Sequence, residues 1–492
     1  MKVIKKITAI MLSIMMVLGM SSVVSAAGAS GTGKITINNA VVGQTYNIYK
    51  ILDLESYNDA TGNYAYKPAT SEWKEFLNET GIIGTYVEVD SDDYVTWKTG
   101  ADAAEFAKKA LAYAKDATHN ITVTSTATAS TTTTTVEFTG LDSGYYLVDS
   151  SVGTLCFLDT MKSGEVKIKE KNAAPTVEKK VQEDSKKGTA NEYGDTNTAD
   201  IGDTVNFKTT ITAQAGAQNY VLHDKMEAGL TFDGSVNVKS NGTAVDPSNY
   251  TLNKATDTSS SISDDCTFEL VFKQEFCDTL KADDTITVEY SATLNKQAKV
   301  GTPENTNKTW LMYGENPSIK SNEDSTTTFT YKIPVFKYTG SDQGLAGAKF
   351  QLNRVEGTTR TSIKVVKTSE ENATEEVYRV ATTTEQSAAF DTVTTIASGK
   401  FTIEGLDAGT YELKETQQPA GYNILSDPVT IVIKEDGKIM YKSSEVSMVK
   451  VENKSGSLLP STGGRGTTLF YILGAILVVG SGVVLITKKR MK

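Results

Sequence analysis

Three polar residues in the last third of the chain lie where a β-strand would turn them inward. Lys337, Glu415 and Asn453 each follow apolar residues two and four positions earlier. Because successive side chains of a strand alternate between its two faces, each of the three continues an otherwise apolar face. One such residue is most often a strand end turned to solvent. Three such residues with complementary chemistry predict a buried site whose side chains react with one another.

An amine, a carboxyl and a carboxamide buried together can form a covalent bond. Burial disfavours the charged forms, so the amine of Lys337 becomes a neutral nucleophile and Glu415 stays protonated. The acid then hydrogen-bonds the carbonyl oxygen of Asn453 and polarises it. Attack on the amide carbon with loss of ammonia leaves a lysine–asparagine isopeptide bond, and burial supplies the proximity that the reaction needs.

A parallel set of residues lies in the middle of the chain. Lys179 alternates with two valines in TVEKKV (176–181), so it shares their inward face. Asp224 offers a carboxyl, and strand alternation favours Asn307 over Asn305 as the carboxamide. An ordinary ion pair between the lysine and the aspartate is the alternative interpretation.

The elements that position these residues are strands. Short runs of alternating apolar residues separated by polar turns fill most of residues 30–456, a pattern typical of β-sandwiches. The segment 101–116 is the helical exception and is expected to be a small insertion. The net charge of -11 and the absence of a basic patch disfavour nucleic-acid binding. The two histidines leave little for metal or acid–base chemistry, so we expect no cofactor, no metal site and no enzymatic activity.

The N-terminus has the pattern of a secretory signal peptide. Three lysines precede an apolar run from Ile7 to Met20, and small residues follow, which predicts cleavage near residue 27. The run is short for a membrane span. The three cysteines cannot form a complete disulfide framework, although Cys266 and Cys277 could pair.

The C-terminus carries a pentapeptide, an apolar span and a short basic tail. Taken alone, the last two could form an ordinary single-pass anchor. The ordered trio resembles the sorting signal of Gram-positive cell-wall proteins, which implies that a sortase cysteine cuts between Thr462 and Gly463 and holds Thr462 as a thioester. The pentapeptide consists of Leu459, Pro460, Ser461, Thr462 and Gly463.

An internal repeat indicates how the chain divides into domains. A similar turn followed by a strand occurs twice, in TGLDSGYYLVDS (139–150) and in EGLDAGTYELKE (404–415). The first and last domains are therefore expected to share a topology. Glu415 then aligns with Ser150, and Asp149 should face the other way. We therefore expect no isopeptide bond in the first domain.

The predicted fold class is all-β, with three tandem immunoglobulin-like sandwiches in an elongated chain. The predicted segments are a signal peptide at 1–27, domains at 28–172, 173–331 and 332–456, and a sorting region with its membrane span and basic tail at 457–492.

The last domain resembles the collagen-adhesin B-type domains of Gram-positive surface proteins, through its early lysine, LAGAKFQL, ELKET..PAGY and the asparagine ahead of the sorting signal. This resemblance implies a Lys337–Asn453 bond with Glu415 as catalyst. The middle domain is similar to the A-type domain of SpaA-like pilins, which implies a Lys179–Asn307 bond with Asp224 as catalyst.

The whole chain resembles a three-domain backbone pilin of the SpaA/FimA kind. In that family a lysine of a V-x-V-Y-P-K-N motif attacks the sortase-bound threonine of the next subunit. The corresponding stretch is VKIKEKN (166–172), in which Lys171 matches and the Tyr-Pro pair is replaced. Lys169 is the nearest competitor. The resemblance implies a peptidoglycan-anchored fimbrial shaft on the cell surface, whose partners are a pilin-specific and a housekeeping sortase, copies of itself, minor pilins and a host ligand. A monomeric wall-anchored adhesin or a minor pilin is the alternative.

Overall fold

The structure is a computed structural model, and strands predominate in it, as the sequence predicts. The residues that it describes are 25–26, 31–58, 61, 63–130, 134–152, 157–161, 164–170, 174–183, 192–214, 216–257, 262, 264–302, 305–314, 319–456 and 465–491. Residues 1–24 and 27 of the predicted signal peptide, together with Cys156, Lys171 and the sorting pentapeptide, lie outside these residues.

The first group of elements ends at residue 169. Its strands are β1 Ser25–Ala26, β2 Gly33–Asn38, β3 Thr45–Asn58, β4 Asn63–Pro68, β5 Val87–Val89, β6 Val95–Trp97, β7 Ser125–Thr128, β8 Thr135–Leu141, β9 Gly144–Ser150, β10 Phe157–Met161 and β11 Glu165–Lys169. Its helices are α1 Ser71–Leu77 and α2 Ala103–Lys115.

These strands form two sheets around an apolar core. One sheet has the order β10-β9-β3-β4-β6-β5, with β1 and β7 also paired to β3, and the other has the order β11-β2-β8. Side chains from both sheets meet between them, among them Ile37, Tyr46, Phe138, Val148 and Ile168. This contact between the inner faces makes the first group a sandwich.

Both helices cover the outer face of the larger sheet. Trp73 and Phe76 of α1 and Phe106 and Tyr113 of α2 pack in one cluster with Leu147 of β9. Helix α2 confirms the predicted helical insertion, and the Asp102 side chain caps it by accepting hydrogen bonds from the first-turn amides.

The second group of strands forms another pair of sheets. Its strands are β12 Thr176–Gln182, β13 Tyr193–Gly194, β14 Thr196–Thr198, β15 Thr204–Thr212, β16 Val221–Met226, β17 Leu230–Ser240, β18 Thr243–Ala244, β19 Tyr250–Lys254, β20 Phe268–Phe272, β21 Thr285–Leu294, β22 Asn305–Met312 and β23 Asp324–Phe329, with the short helix α3 Gln274–Cys277. The sheet orders are β13-β12-β15-β21-β17-β18 and β14-β23-β22-β16-β20-β19. Phe268 of the second sheet packs edge-on against Tyr290 of the first, so their inner faces are in contact.

The third group repeats the arrangement of the first. Its strands are β24 Tyr331–Thr339, β25 Gln343–Gly344, β26 Lys349–Glu356, β27 Thr359–Ile363, β28 Val365–Lys367, β29 Glu376–Val380, β30 Val393–Thr394, β31 Lys400–Leu406, β32 Gly409–Gln417, β33 Val429–Ile433, β34 Ile439–Tyr441, β35 Ser444–Val446 and β36 Val449–Glu452. The sheet orders are β25-β24-β31-β29-β28, with β36 on β24, and β27-β26-β32-β33-β34-β35, with β30 on β26.

The first and third groups share a specific strand pairing. In each group the last strand lies parallel to an early strand: β11 pairs with β2, and β36 pairs with β24. The repeated segments correspond to β9 and β32, which lie in the sheet opposite this pair. The expected common topology is therefore present in the structure.

The described chain divides into two compact units. One comprises the chain up to Tyr331 together with 382–384 and 405–408, and the other contains the rest. Within the first unit the sheets change between β11 and β12. The exact domain limits at 172 and 331 stay predictions. Near the C-terminus, helix α4 Arg465–Arg490 contains an apolar stretch from Thr468 that is long enough to cross a membrane, as the sequence predicts.

Candidate lysine–asparagine cross-link sites

The last sandwich brings its three predicted residues together in the core. Lys337 is paired with Val451 in the parallel pair of β24 and β36, and Asn453 follows two residues later on the same face. Glu415 reaches them from β32 in the opposite sheet. The side chains of Lys337 and Glu415 are fully buried, and Asn453 is 1% exposed.

The contacts form a closed triangle. The Lys337 amine donates a hydrogen bond to Oδ1 of Asn453 and lies 3.6 Å from Oε1 of Glu415. The same Oε1 accepts a hydrogen bond of 2.9 Å from Nδ2 of Asn453, and Oε2 accepts one of 2.8 Å from the amide of Leu425. The amine is thus held beside the amide group that it would attack.

The carboxyl contacts a different atom from the one that we expected. We expected Glu415 to polarise the carbonyl oxygen of Asn453, whereas in the structure Glu415 accepts a hydrogen bond from the amide nitrogen, which would be the leaving group. From this position the carboxyl lies between the amine and the departing nitrogen. It is placed to take a proton from one and deliver it to the other.

Burial prepares Lys337 for reaction. Loss of hydration lowers the pKa of its amine to about 8, against the opposing effect of the Glu415 carboxyl. A larger fraction of the amine is therefore neutral at physiological pH than for a solvated lysine, and only the neutral form is a nucleophile.

The middle sandwich also brings its three predicted residues together. Lys179 projects inward from β12, whereas Asp224 of β16 and Asn307 of β22 belong to the opposite sheet. All three are at most 1% exposed. The Lys179 amine lies 2.5 Å from Oδ2 of Asp224. This contact is also what an ordinary buried ion pair would show, so proximity alone does not distinguish the two interpretations.

Desolvation opposes ionisation of this pair. Burial lowers the pKa of Lys179 and raises the pKa of Asp224, while their mutual attraction acts in the other direction. Oδ1 of Asp224 and Oδ1 of Asn307 have no hydrogen-bond partner within the described residues, although both atoms are buried. A buried ion pair is stable only when its remaining polar atoms are satisfied, so the unpaired oxygens favour the reactive interpretation.

Asn305 has a separate role. It is fully buried as well, but its side chain bonds to both backbone groups of Lys299 and to the carbonyl of Thr328. These contacts fix the turn before β22. The nearer approach of Asn307 to the lysine site supports the choice made from strand alternation.

Tyr290 is a fourth member of the middle site that sequence reasoning missed. Its hydroxyl contacts Lys179 and donates to Oδ2 of Asp224, and Nδ2 of Asn307 lies 3.4 Å away. Burial and the neighbouring carboxylate raise its pKa well above the usual range, so the hydroxyl keeps its proton. Strand alternation predicts that Tyr290 faces inward from β21, but a tyrosine in this position is usually an ordinary aromatic residue of the core.

The first sandwich has the same framework with different residues. Ile37 is paired with Ile168 in the parallel strands, as Lys337 is paired with Val451, so an isoleucine occupies the lysine position. Glu170 lies two residues beyond Ile168, where the last domain has its asparagine. Without an amine, this site cannot form the bond.

The carboxyl position of the first sandwich is also changed. Ser150 aligns with Glu415, and it contacts the buried Tyr46, whose pKa is raised by burial and by the neighbouring Glu170. Asp149 is buried on the other face of β9 and lies 3.1 Å from the Lys115 amine of α2. Both observations agree with the expectation drawn from the repeat.

The segment 166–172, which contains the predicted acceptor, begins within β11. This strand runs parallel to β2, and Lys169 is exposed at its end. Lys171 and the five residues of the sorting pentapeptide lie beyond the described residues, so their roles stay predictions. Cys266 and Cys277, which could have paired, are both free and buried.

Three family models match the chain. Residues 201–317 match the Gram-positive pilin backbone subunit 2, Cna-B-like domain; residues 331–446 match the SpaA prealbumin-like fold domain; and residues 451–492 match the LPXTG cell wall anchor motif. The chain therefore carries one match to a Gram-positive pilin backbone domain, one to a SpaA prealbumin-like fold domain and one to a cell wall anchor motif, and the protein is a secreted surface protein anchored at the wall. The A-type label that we gave to the middle domain stays a prediction.

Individual relatives are more distant. The chain is 34% identical over 84 residues to fimbrial subunit type 1 of Actinomyces viscosus, a match that covers 17% of this chain and only 16% of that protein. The T6 backbone pilin of Streptococcus pyogenes is 18% identical, with a TM-score of 0.48 over 83% of this chain and 81% of the other. The Corynebacterium diphtheriae major pilin SpaA is 15% identical, with a TM-score of 0.45 over 85% and 99%.

Intact-mass spectrometry of the exported chain tests both sites. Each isopeptide bond removes one ammonia, about 17 Da, because the amine displaces the amide nitrogen. We expect two losses in the wild type and one in either Glu415→Ala or Asp224→Ala. Glu412→Ala, on the opposite face of β32, is the matched control and should keep both. A wild-type mass without any loss would contradict both assignments.

A second experiment tests Tyr290. Tyr290→Phe removes the hydroxyl that bridges the amine and the carboxyl, so bond formation in the middle domain should slow by at least about tenfold. The measurement is the time course of the second ammonia loss after synthesis of the chain. Tyr220→Phe, another buried tyrosine of this domain, is the control. Equal rates in wild type and Tyr290→Phe would show that the hydroxyl is only structural.

Proposed function

We propose that the chain is the shaft subunit of a pilus that sortases assemble covalently on the cell surface. The observation that carries this proposal is the presence, on one chain, of a pilin backbone domain match, a SpaA prealbumin-like domain match and a cell wall anchor match. The pilin backbone family and its fold are structural. The two buried lysine sites support the proposal, since a pilus shaft must resist pulling and internal covalent bonds would strengthen each subunit.

The proposed assembly uses two reactions in sequence. A sortase cysteine attacks the carbonyl of Thr462, the bond to Gly463 breaks, and the new amine of Gly463 departs with the membrane segment. The acyl group is then held as a thioester. An amine of the next subunit attacks it, the thiol is regenerated, and an intersubunit isopeptide bond remains.

Lys171 is the proposed acceptor amine. It occupies the lysine position of the 166–172 segment, which begins within β11, a strand paired with β2 in the first sandwich. The residue before it in the sequence, Glu170, is 5% exposed, so the chain is held in the domain up to that point. The competing Lys169 is exposed but lies within the strand.

The cell wall completes the proposed pathway. When an amine of the peptidoglycan replaces the lysine as the acceptor, the chain becomes attached to the wall and growth stops. A pilin-specific sortase would catalyse the first kind of transfer, and a housekeeping sortase the second. Minor pilins and a host ligand are further proposed partners of the finished fibre.

One sequence feature favours a second candidate function. The Tyr-Pro pair of the acceptor motif is replaced by Lys169-Glu170. A monomeric wall-anchored adhesin, or a minor pilin, needs only the sorting signal and not the acceptor lysine. The two candidates differ in whether the chain forms polymers.

Polymerisation can be tested in cells that express the chain with its sortases. Wall extracts should show a ladder of high-mass species that resists SDS, because the subunits are joined by covalent bonds. Lys171→Ala should abolish the ladder and leave wall-attached monomer, whereas Lys169→Ala, the matched control, should keep it. Thr462→Ala should abolish both products. A single monomer band in the wild type would favour the second candidate.

A further inference from the structure

A cluster of metal-binding side chains lies on the outer face of the middle sandwich. His223 and Glu269 are directly opposite each other on the antiparallel strands β16 and β20. Asp264 and Cys266 belong to the turn just before β20, and Oδ1 of Asp264 accepts a hydrogen bond of 3.0 Å from the Cys266 amide, which fixes that turn. Because neighbours alternate along β16, His223 faces away from the core site that contains Asp224.

The donor atoms converge on one imidazole nitrogen. Nδ1 of His223 lies 3.1 Å from Oδ2 of Asp264, 3.3 Å from Sγ of Cys266 and 3.6 Å from Oε1 of Glu269. The ligand atoms of the histidine, the aspartate and the cysteine all lie within 4.8 Å of one another. In a tetrahedral zinc site, bond lengths of 2.0–2.3 Å place ligand atoms about 3.3–3.8 Å apart. Small side-chain movements would therefore complete such a site.

Most of the side chains of the site are buried and held in place. His223, Cys266 and Glu269 are 4%, 3% and 8% exposed, whereas Asp264 is exposed and leaves a path for an ion to enter. The ring of His223 stacks on Trp310, with centroids 5.3 Å apart, so its orientation is fixed before any ion binds.

The cluster contains more negative than positive charge, which favours the binding of a cation. Three acceptors surround Nδ1, which can donate its single proton to only one of them. Among the described residues, the ion pairs of Asp264 and Glu269 both run to His223, and Lys225 pairs with Asp265 instead. Two carboxylates and a thiol around one imidazole are therefore short of positive charge.

We propose that His223, Asp264 and Cys266 bind a zinc-class divalent ion, with Glu269 supplying the fourth ligand. Nitrogen, sulfur and oxygen donors together suit Zn²⁺, whereas Mg²⁺ and Ca²⁺ require oxygen ligands alone. On binding, the Cys266 thiol gives its proton to solvent and a sulfur–metal bond forms. The ion joins β16 to the turn before β20, so it is a structural site, independent of pilus assembly.

The proposed site differs from the expectation drawn from composition. The scarcity of histidines predicts little metal chemistry, yet one histidine is enough when a cysteine and two carboxylates complete the set of ligands. His223 and Cys266 are 43 residues apart in the sequence, so no short sequence motif indicates the site. Only the pairing of β16 with β20 brings them together.

Metal titration of the purified full chain tests the proposal. After treatment with a chelator, the wild type should bind one equivalent of Zn²⁺, and Co²⁺ in its place should give the near-ultraviolet charge-transfer band of a thiolate ligand. Cys266→Ser should lose that band and bind at least about 10–100-fold more weakly. Cys277→Ser, the other buried cysteine of this domain, should behave as the wild type.

Further measurements keep the proposal falsifiable if a variant misfolds. Zn²⁺ should raise the melting temperature of the wild type and of Cys277→Ser. Asp264→Asn changes an exposed side chain, so it should leave metal-free melting unchanged while weakening binding. Equal zinc affinity in wild type and Asp264→Asn, a missing cobalt band, or equal binding of Ca²⁺ would each overturn the assignment. None of these outcomes depends on whether the chain polymerises.

Discussion

A lysine amine in a dry sandwich core is the constraint on which the rest of this structure depends. An isolated charge in such a place costs several kcal/mol even after the surroundings relax. Lys337 lies in that position with a carboxyl 3.6 Å away and a carboxamide in contact, and Lys179 lies there in contact with the carboxyl of Asp224. Loss of ammonia would turn the amine into a neutral secondary amide, so the reaction would permanently remove the charge that burial disfavours. The domain thus folds to an unfavourable arrangement of buried polar groups that formation of the bond would relieve.

The two proposed bonds would lie differently in their sandwiches. In the last domain the bond would join Lys337 of β24 to Asn453, which follows the neighbouring parallel strand β36, across 116 residues of sequence. Closing a loop of this length would restrict the unfolded chain by about 5 kcal/mol in the chain-entropy model. In the middle domain the bond would connect β12 to β22, which belong to opposite sheets, so it would tie the two layers together.

Strand alternation made most of the site predictable, because its period of two assigns each residue to a face without knowledge of the fold. Lys337, Glu415 and Asn453 were found in this way. Tyr290 was not, because a tyrosine on an apolar face needs no special explanation. The amide atom that Glu415 contacts depends on side-chain rotation, which sequence periodicity does not contain.

Under the proposed assembly, the force on a shaft enters each subunit at Lys171 and leaves at Thr462. The path then follows the backbone from 171 to 179, crosses the first isopeptide bond to Asn307, continues to Lys337, and crosses the second bond to Asn453. The strands between each bonded pair carry little load, since the covalent bond bypasses them. Residues before 171 lie outside the path altogether. The first sandwich, with Ile37 in the lysine position, therefore needs no cross-link, and the two domains that would bear the load are those with a lysine and an asparagine buried in the core.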